Sequence, residues 1–326
     1  VSYCRVRNLA WSRCRVEEMA KKVPDILEFM GRTPSVVLKR IVPTSAARVY
    51  VKLEKYNPGG SLKARVALQM VLEAEKKGIL RPDSGQTILE PTGGNTGIGL
   101  AIVGAIRGYR VILVIPDNYS EEKQKVLRAY GAEVVLSDST TGNDSHVAKA
   151  REILTKNPGF VWLDQLSNTA NPMAHYQNTA AEILASISSI DCFVAGIGSG
   201  GTITGIGRRI REAFPQARVI AVQPEGCDVL SGRAIQHQIQ GFAIGRIPPI
   251  LDVNIPDSVF SVTFDQARAT MIRLAEKEGL LLGISSGANV YAAIAVSQEL
   301  DPTKTVVTIA PDGGRSYLDL FENDYP

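Results

Sequence analysis

The sequence predicts an α/β protein of two lobes, each an open, mostly parallel sheet flanked by helices. Three observations carry this expectation. Short apolar runs such as residues 49–53, 111–115, 192–195 and 305–309 read as strands buried on both faces. Amphipathic stretches that start at capping residues and stop at glycine alternate with them, the rhythm of a parallel sheet with helical crossovers. Several of the strand-like runs end in turns made almost wholly of Gly, Ser, Thr and Asn, where an open α/β sheet presents its ligand edge. At 326 residues the chain can bury two large cores.

Taken in order, Gly31-Arg32-Thr33-Pro34 introduces Val36-Val37-Leu38, an edge strand or arm, and residues 49–53 form a strand. Asn57-Pro58-Gly59-Gly60 is a turn that delivers the chain to Ser61, an N-cap residue, and to a helix whose buried stripe runs through Leu68, Val71, Leu72 and Ala74. After a turn at Pro82-Asp83-Ser84-Gly85, a strand at 87–90 feeds a small-residue helix ending near Gly108. A strand at 111–115 precedes a helix capped by Ser120 and closed by Gly131, and a strand at 133–136 precedes a helix at about 144–156. A strand at 160–163 and a helix at about 173–187 come next, then a strand at 192–195, a helix to Phe214 and a strand at 219–222. From Pro224 to Pro256 periodicity is lost, the mark of a functional loop. A strand at 259–262, a helix at 265–277, a helix from Gly283 to about Leu300 and a strand at 305–309 complete the chain, with Asp312-Gly313-Gly314 in the tail.

Composition narrows the function. The chain is 44% hydrophobic and 21% charged with a net charge of +3, and its cations are scattered among acids. Neither a nucleic-acid stripe nor a membrane-spanning run is present. Cys4, Cys14, Cys192 and Cys227 form no C-x-x-C pair, so neither a zinc site nor a disulfide framework is expected, and a reducing, cytoplasmic setting is the default. Residues 1–15 carry four arginines and no acid and read as a plain basic extension, with organelle import as the alternative.

The candidate chemistry begins at Lys63. It falls in the first turn of a helix, where the dipole disfavours a cation and so favours the neutral, nucleophilic amine. A solvated surface lysine is the competing reading. Gly198-Ser199-Gly200-Gly201-Thr202 is a strand-to-helix turn whose amides and hydroxyls suit one phosphate monoester. Gly196, Gly198 and Gly201 also satisfy G-x-G-x-x-G, with Glu225 after the next strand, so a dinucleotide site ranks second and a bare packing turn third. Thr92-Gly93-Gly94-Asn95-Thr96 offers amides, hydroxyls and a carboxamide to a carboxylate. Ser285 and Ser286 lie between two glycines at another helix start; taken alone they read as a cap. An amine, a phosphate cradle, a carboxylate clamp and a neutral hydroxyl loop would all be used by a phosphate-bearing aldehyde that forms a Schiff base, and pyridoxal phosphate is that molecule.

These motifs, with Asn57-Pro58-Gly59-Gly60-Ser61-Leu62-Lys63, Glu90-Pro91-Thr92-Gly93-Gly94-Asn95-Thr96-Gly97-Ile98-Gly99 and Gly283-Ile284-Ser285-Ser286-Gly287, resemble the cysteine synthase / cystathionine β-synthase family of fold-type II pyridoxal-phosphate enzymes, a fold of the tryptophan synthase β kind. The resemblance runs from about Gly31 to Leu320. It implies that Lys63 binds the cofactor as a Schiff base, that Asn95 meets its ring hydroxyl, and that Gly198, Ser199, Gly200, Gly201 and Thr202 hold its phosphate. It places Ser285 at the pyridine nitrogen and Thr92, Gly93, Asn95, Thr96 and Gln165 around the substrate carboxylate. It also implies a homodimer, a smaller mobile substrate-carboxylate lobe at 46–165 and a larger cofactor-phosphate lobe from 1–45 and 166–326.

The implied reaction is β-replacement on an activated L-serine through an α-aminoacrylate, with O-acetylserine and sulfide giving L-cysteine as the leading case. O-phosphoserine, or serine with homocysteine or an amine nucleophile, is the alternative within the family. Dehydration, a nicotinamide oxidoreductase and a silent binding protein rank lower. Three departures from the family pattern stand out. Ala64 replaces an Asp, and Gly93 replaces a Ser, which removes a hydroxyl and leaves a roomier site. Arg246 falls where many cysteine synthases are apolar; it is read either as a surface residue or as a reader of an anionic leaving group or second substrate.

Overall fold

A computed structural model describes residues 25–142 and 144–321. The basic segment 1–15, with Cys4 and Cys14, lies outside the described residues. Two sheets organise the chain. The larger contains six strands in the order β1 (Ser35–Val37), β2 (Arg48–Leu53), β9 (Thr305–Ala310), β6 (Cys192–Gly196), β7 (Arg218–Pro224) and β8 (Ser258–Val262). Only β1 runs antiparallel, at the edge where it pairs with β2. The smaller is a parallel sheet of β3 (Thr87–Glu90), β4 (Arg110–Pro116) and β5 (Glu133–Ser137). β2 falls in the stretch assigned from the sequence to the smaller lobe, yet it is hydrogen-bonded along its length to β9 in the larger sheet.

Alternation along the strands sends side chains to different cores. Phe193, Ala195, Val219, Ala221, Val307 and Ile309 face one core; Cys192, Val194, Ile220, Val222, Val306 and Ala310 face another. The first core also takes Val111 and Leu113 from β4, so it fills the space between the two sheets. Helices α1 (Lys63–Lys76), α2 (Asn95–Arg107) and α7 (Gly201–Ala213) contribute to this shared layer, as do α5 (Ala170–Ala174) and α6 (Ala180–Ser186). Helices α8 (Phe264–Glu278) and α9 (Ile284–Gln298) cover the far face of the six-stranded sheet. Helix α4 (Ser145–Lys156) packs Ala150 on the far face of the three-stranded sheet, and α3 (Glu121–Ala129) lies before β5.

Local sequence explains most element ends. Ser120 caps α3 by accepting the Lys123 amide, and Thr263 with Gln266 forms a reciprocal capping box on α8. Gly108 and Gly279 end α2 and α8 in the left-handed conformation. Four expectations need correction. α1 begins at Lys63 after Leu62, because Ser61 is held in a bridge to Asp312; the Ser61 hydroxyl still accepts the Lys63 amide at 3.3 Å. α1 is packed between α2 and α5, so its buried surface is set by Ala64, Val66, Ala67, Met70 and Val71, while Leu72 stays exposed. The strand expected at 160–163 shrinks to a single bridge between Val161 and Ile88, because Asp164 turns the chain away at a positive φ of 51°. The helix expected at about 173–187 starts earlier, at Ala170, and contains one π turn at His175–Thr179.

The topology gathers the motifs. The 55–62 turn, the 198–202 turn and Asp312 follow the C-terminal ends of β2, β6 and β9, which are adjacent in the large sheet. The 92–96 turn follows the C-terminal end of β3 in the small one. All four loops thus open on the ligand edge that parallel sheets create. No helix among the described residues is long and apolar enough to cross a membrane.

Candidate active site

A cleft of about 1280 Å³ opens where these loops meet, lined by Lys63, Thr92, Asn95, Gln165, Ser199 and Ser285 among others. Lys63 is the first residue of α1, and its Nζ donates to Ser199 Oγ at 3.2 Å. Burial without a carboxylate partner pulls the amine down to about 8, so a substantial share is neutral near physiological pH. The structure therefore joins the Lys63 amine to the 198–202 turn, two features 136 residues apart in sequence.

The turn itself is shaped for an anion. Gly200 has φ of +83°, a conformation that side-chain-bearing residues avoid. A Cβ on Gly198 would lie 2.0 Å from the Gly241 carbonyl, and one on Gly201 would lie 2.0 Å from Asn171 Oδ1. None of the backbone amides from 198 to 202 donates to an acceptor among the described residues. Five N–H groups at a helix N-terminus with nothing to bind describe a phosphate cradle. Asn171, which is fully buried, donates to the Gln165 carbonyl at 2.8 Å and to Ser199 Oγ at 3.3 Å. His175 sits behind Thr202, its Nε2 3.3 Å from the Thr202 hydroxyl and its Nδ1 3.1 Å from Thr179. Burial, reinforced by the charges of Lys63 and Arg65, keeps His175 far below its ordinary range, so it orients Thr202 as a neutral ring.

The 92–96 loop is assembled from both sides. Asn95 opens α2, and Thr96 donates to Gln165 Oε1 at 2.6 Å, which leaves the Gln165 amide hydrogens for a ligand. Glu90, at the end of β3, accepts the amides of Asp164 and Gln165 at 3.0 Å each and so fixes that segment. Burial outweighs these bonds and pushes Glu90 up to about 7.

Gly93 does not leave the roomier site expected from the sequence. A Cβ there would lie 2.6 Å from Ile115 and 2.7 Å from the Tyr119 ring. Tyr119, which also lines the cleft, already fills the volume. Gly93→Ser is accordingly expected to destabilise the fold by about 1–3 kcal/mol, the usual cost of overpacking. Pairing it with Tyr119→Ala should recover much of the loss in thermal unfolding; equal melting of wild type and Gly93→Ser would contradict the contact. Ala64 has a similar explanation. It is buried where α1 meets α2, with Gly99 so close that a Cβ on Gly99 would lie 2.9 Å from the Lys63 carbonyl.

Sequence reading missed Asp312 as a site residue, although its Asp-Gly-Gly turn was visible. Its Oδ2 accepts from Asn95 Nδ2 at 2.9 Å and from the Tyr317 hydroxyl at 3.0 Å, while its buried Oδ1 has no partner among the described residues. Burial raises Asp312 to about 6. Asp312 thereby sets the Asn95 carboxamide from behind. Ser285 lies in the first turn of α9 and lines the cleft. Arg246 is placed elsewhere: it does not line the cleft, and its guanidinium is 3.5 Å from Asp144 on the surface. Of the dinucleotide pattern, Gly196 borders the cleft, but its amide is taken by Asn289 Oδ1 at 2.8 Å, and a Cβ there would fall within 1.9 Å of the Phe242 ring.

The amine, the unsatisfied cradle and the carboxylate loop fit a phosphate-bearing aldehyde and an amino acid. Comparison with known proteins agrees. A family model described as pyridoxal-phosphate dependent enzyme matches residues 26–312. A cysteine synthase of Staphylococcus aureus is 44% identical over 301 residues, covering 91% of this chain and 96% of the relative. The crystal structure of O-ureido-L-serine synthase superposes with a TM-score of 0.88 at 42% identity, covering 92% of this chain and 95% of that one. O-acetyl serine sulfhydrylase isoform 3 from Entamoeba histolytica does so with a TM-score of 0.88 at 34% identity, covering 94% and 93%. With the cradle, the amine and these relatives in agreement, the chain belongs to the cysteine synthase / cystathionine β-synthase family of pyridoxal-phosphate-dependent enzymes.

Proposed function

We propose that this protein makes L-cysteine by β-replacement on an activated L-serine, with O-acetylserine as donor and sulfide as nucleophile. The observation that carries the reading is the Lys63 amine held at the lip of the phosphate cradle, 3.2 Å from Ser199, in a cleft whose other wall is the 92–96 loop. The names of the Staphylococcus aureus relative and the Entamoeba histolytica neighbour support the choice of reaction.

When bound, pyridoxal phosphate supplies an aldehyde for the substrate amine and a ring that withdraws electrons from the α-carbon. The chain's residues do the rest. The amides of 198–202 with the Ser199 and Thr202 hydroxyls would hold the phosphate, and Asn95, set by Asp312, would meet the ring hydroxyl. Ser285 would face the ring nitrogen as a neutral partner. Thr92, Gly93, Asn95, Thr96 and Gln165 would bind the substrate carboxylate through amides, hydroxyls and carboxamides. Lys63 Nζ takes the α-proton as the β-carbon–oxygen bond breaks and acetate leaves with the bonding pair. Sulfide as HS⁻ then forms the carbon–sulfur bond, and Lys63 returns a proton to the α-carbon. One O-acetylserine and one HS⁻ thus give one cysteine and one acetate. We further propose that the part of 46–165 built on the three-stranded sheet moves as the smaller lobe, with β2 fixed in the larger sheet, and closes on the carboxylate to exclude water.

The family resemblance supports a homodimer, and the buried free thiols Cys192 and Cys227 suit a cytoplasmic setting. Light scattering at the mass of one chain would remove the dimer. For the reaction, the test is the visible absorbance of the holoenzyme on adding serine, O-acetylserine or O-phosphoserine. A donor-specific change that sulfide reverses is expected; an unaltered spectrum with every donor defeats the reading.

A further inference from the structure

We propose that the mouth of the cleft is built to take an anionic group through Lys55, Lys123 and Arg315, so that beside O-acetylserine and sulfide the protein accepts a donor or a nucleophile that carries a phosphate or carboxylate besides the α-carboxylate of the donor. This rests on the β-replacement reading and extends its substrate range. All three cations line the same cleft as Lys63, and none is ion-paired among the described residues. Among the described residues the one acid that lines the cleft is Asp312, whose Oδ2 accepts from Asn95 and Tyr317.

The cations are placed on two sides. Lys55 Nζ approaches the Leu281 carbonyl at 3.5 Å, the same oxygen that accepts the Gly314 amide at 3.2 Å. Its ammonium therefore lies beside the backbone that carries Arg315, on the larger sheet's side. Lys123 lies across from them, its Nζ 5.7 Å from the centroid of the Tyr119 ring that covers Gly93. Tyr119 and Tyr317 line the same cleft, so the two sides face a common space. The Tyr119 hydroxyl has no partner among the described residues and adds a neutral donor to that space.

Like charges around one opening repel one another, and the repulsion is relieved when an anion enters. An acetyl leaving group or an uncharged nucleophile gains nothing from them. A phosphate ester on the donor, or a carboxylate on the nucleophile, gains charge-assisted hydrogen bonds. Arg246 cannot supply this recognition from its surface position against Asp144.

The test compares wild-type holoenzyme with Lys55→Ala/Arg315→Ala and, from the other side, Lys123→Ala. One arm pairs sulfide with O-phosphoserine or O-acetylserine; the other pairs O-acetylserine with mercaptoacetate or the uncharged 2-mercaptoethanol. In one arm the ratio of kcat/KM, anionic over neutral, should fall about tenfold in the variants, the factor that losing one charge-assisted hydrogen bond carries. The arm that responds identifies whether donor or nucleophile brings the anion. In wild type the same ratio should fall with added salt. A readout free of turnover is calorimetric titration of inorganic phosphate into holoenzyme, with Kd rising about tenfold in the double variant. Turnover with ratios and phosphate affinity unmoved in all variants overturns the proposal. Absence of turnover with every pair in wild type removes the β-replacement reading, and the proposal with it.

Discussion

Lys63→Ala is expected to abolish covalent attachment of the cofactor and to lower turnover by about 10³-fold or more, combining loss of the Schiff-base amine with loss of a general base. The fold should survive. The amine makes one hydrogen bond, to Ser199, and its burial already works against its charge, so deleting it removes no ion pair. Borohydride reduction followed by peptide mapping should find the cofactor on Lys63 in wild type and nowhere in the variant. The depressed amine adds a kinetic signature. Because only the neutral form attacks an aldehyde, cofactor uptake by the cofactor-free protein should speed up as pH rises through about 8 and level off above it. Uptake that is flat from pH 6 to 9, or a labelled peptide that excludes residue 63, would remove Lys63 from its role.

The second large effect lies two residues further along α1. Arg65 is buried and donates to both oxygens of Glu54, at 2.7 and 2.8 Å, and to both oxygens of Glu182, at 2.7 Å each. Glu182 is shared with Lys52, and Glu54 also accepts from Thr33 and Asn57. Burial opposes the guanidinium charge, but the hydrogen bonds and charges of Glu182 and Glu54 more than compensate and hold its pKa above the ordinary value. This network ties β2, the Asn57 turn and α6 to the helix that begins at Lys63. Arg65→Met leaves the fully buried Glu54 without a cation, which is expected to cost about 3–5 kcal/mol. Arg65→Lys keeps the charge but loses the bidentate geometry and should recover only part of it. Urea unfolding measures both; a Met variant as stable as wild type would contradict the network's importance.

The strands were legible because parallel strands buried on both faces leave continuous apolar runs, as at β6 and β9. Lys63, the 198–202 turn and the 92–96 turn were legible because close approach of backbone to a ligand demands small residues in sequence-local runs. What the sequence hid is long-range. Asp312 is joined to Asn95 across 217 positions, and His175 acts through Thr202 from a helix with no motif of its own. Glu90 lies inside a recognised motif, but its role is given by Asp164 and Gln165, 74 and 75 positions away. Gly93 shows the opposite hazard. Read locally it meant added space, whereas Tyr119, packed against it from the loop after β4, leaves none. Arg246 was singled out by position in sequence alone, and the fold turns it to Asp144.

The most direct measurement follows carbon and sulfur together. Purified holoenzyme is given O-acetylserine and sulfide, and cysteine and acetate are quantified by mass spectrometry. The geometry around Lys63 predicts one acetate released for each cysteine formed, and neither product in Lys63→Ala. Pyruvate and ammonia in place of cysteine, or cysteine formed equally by the Lys63 variant, would contradict it.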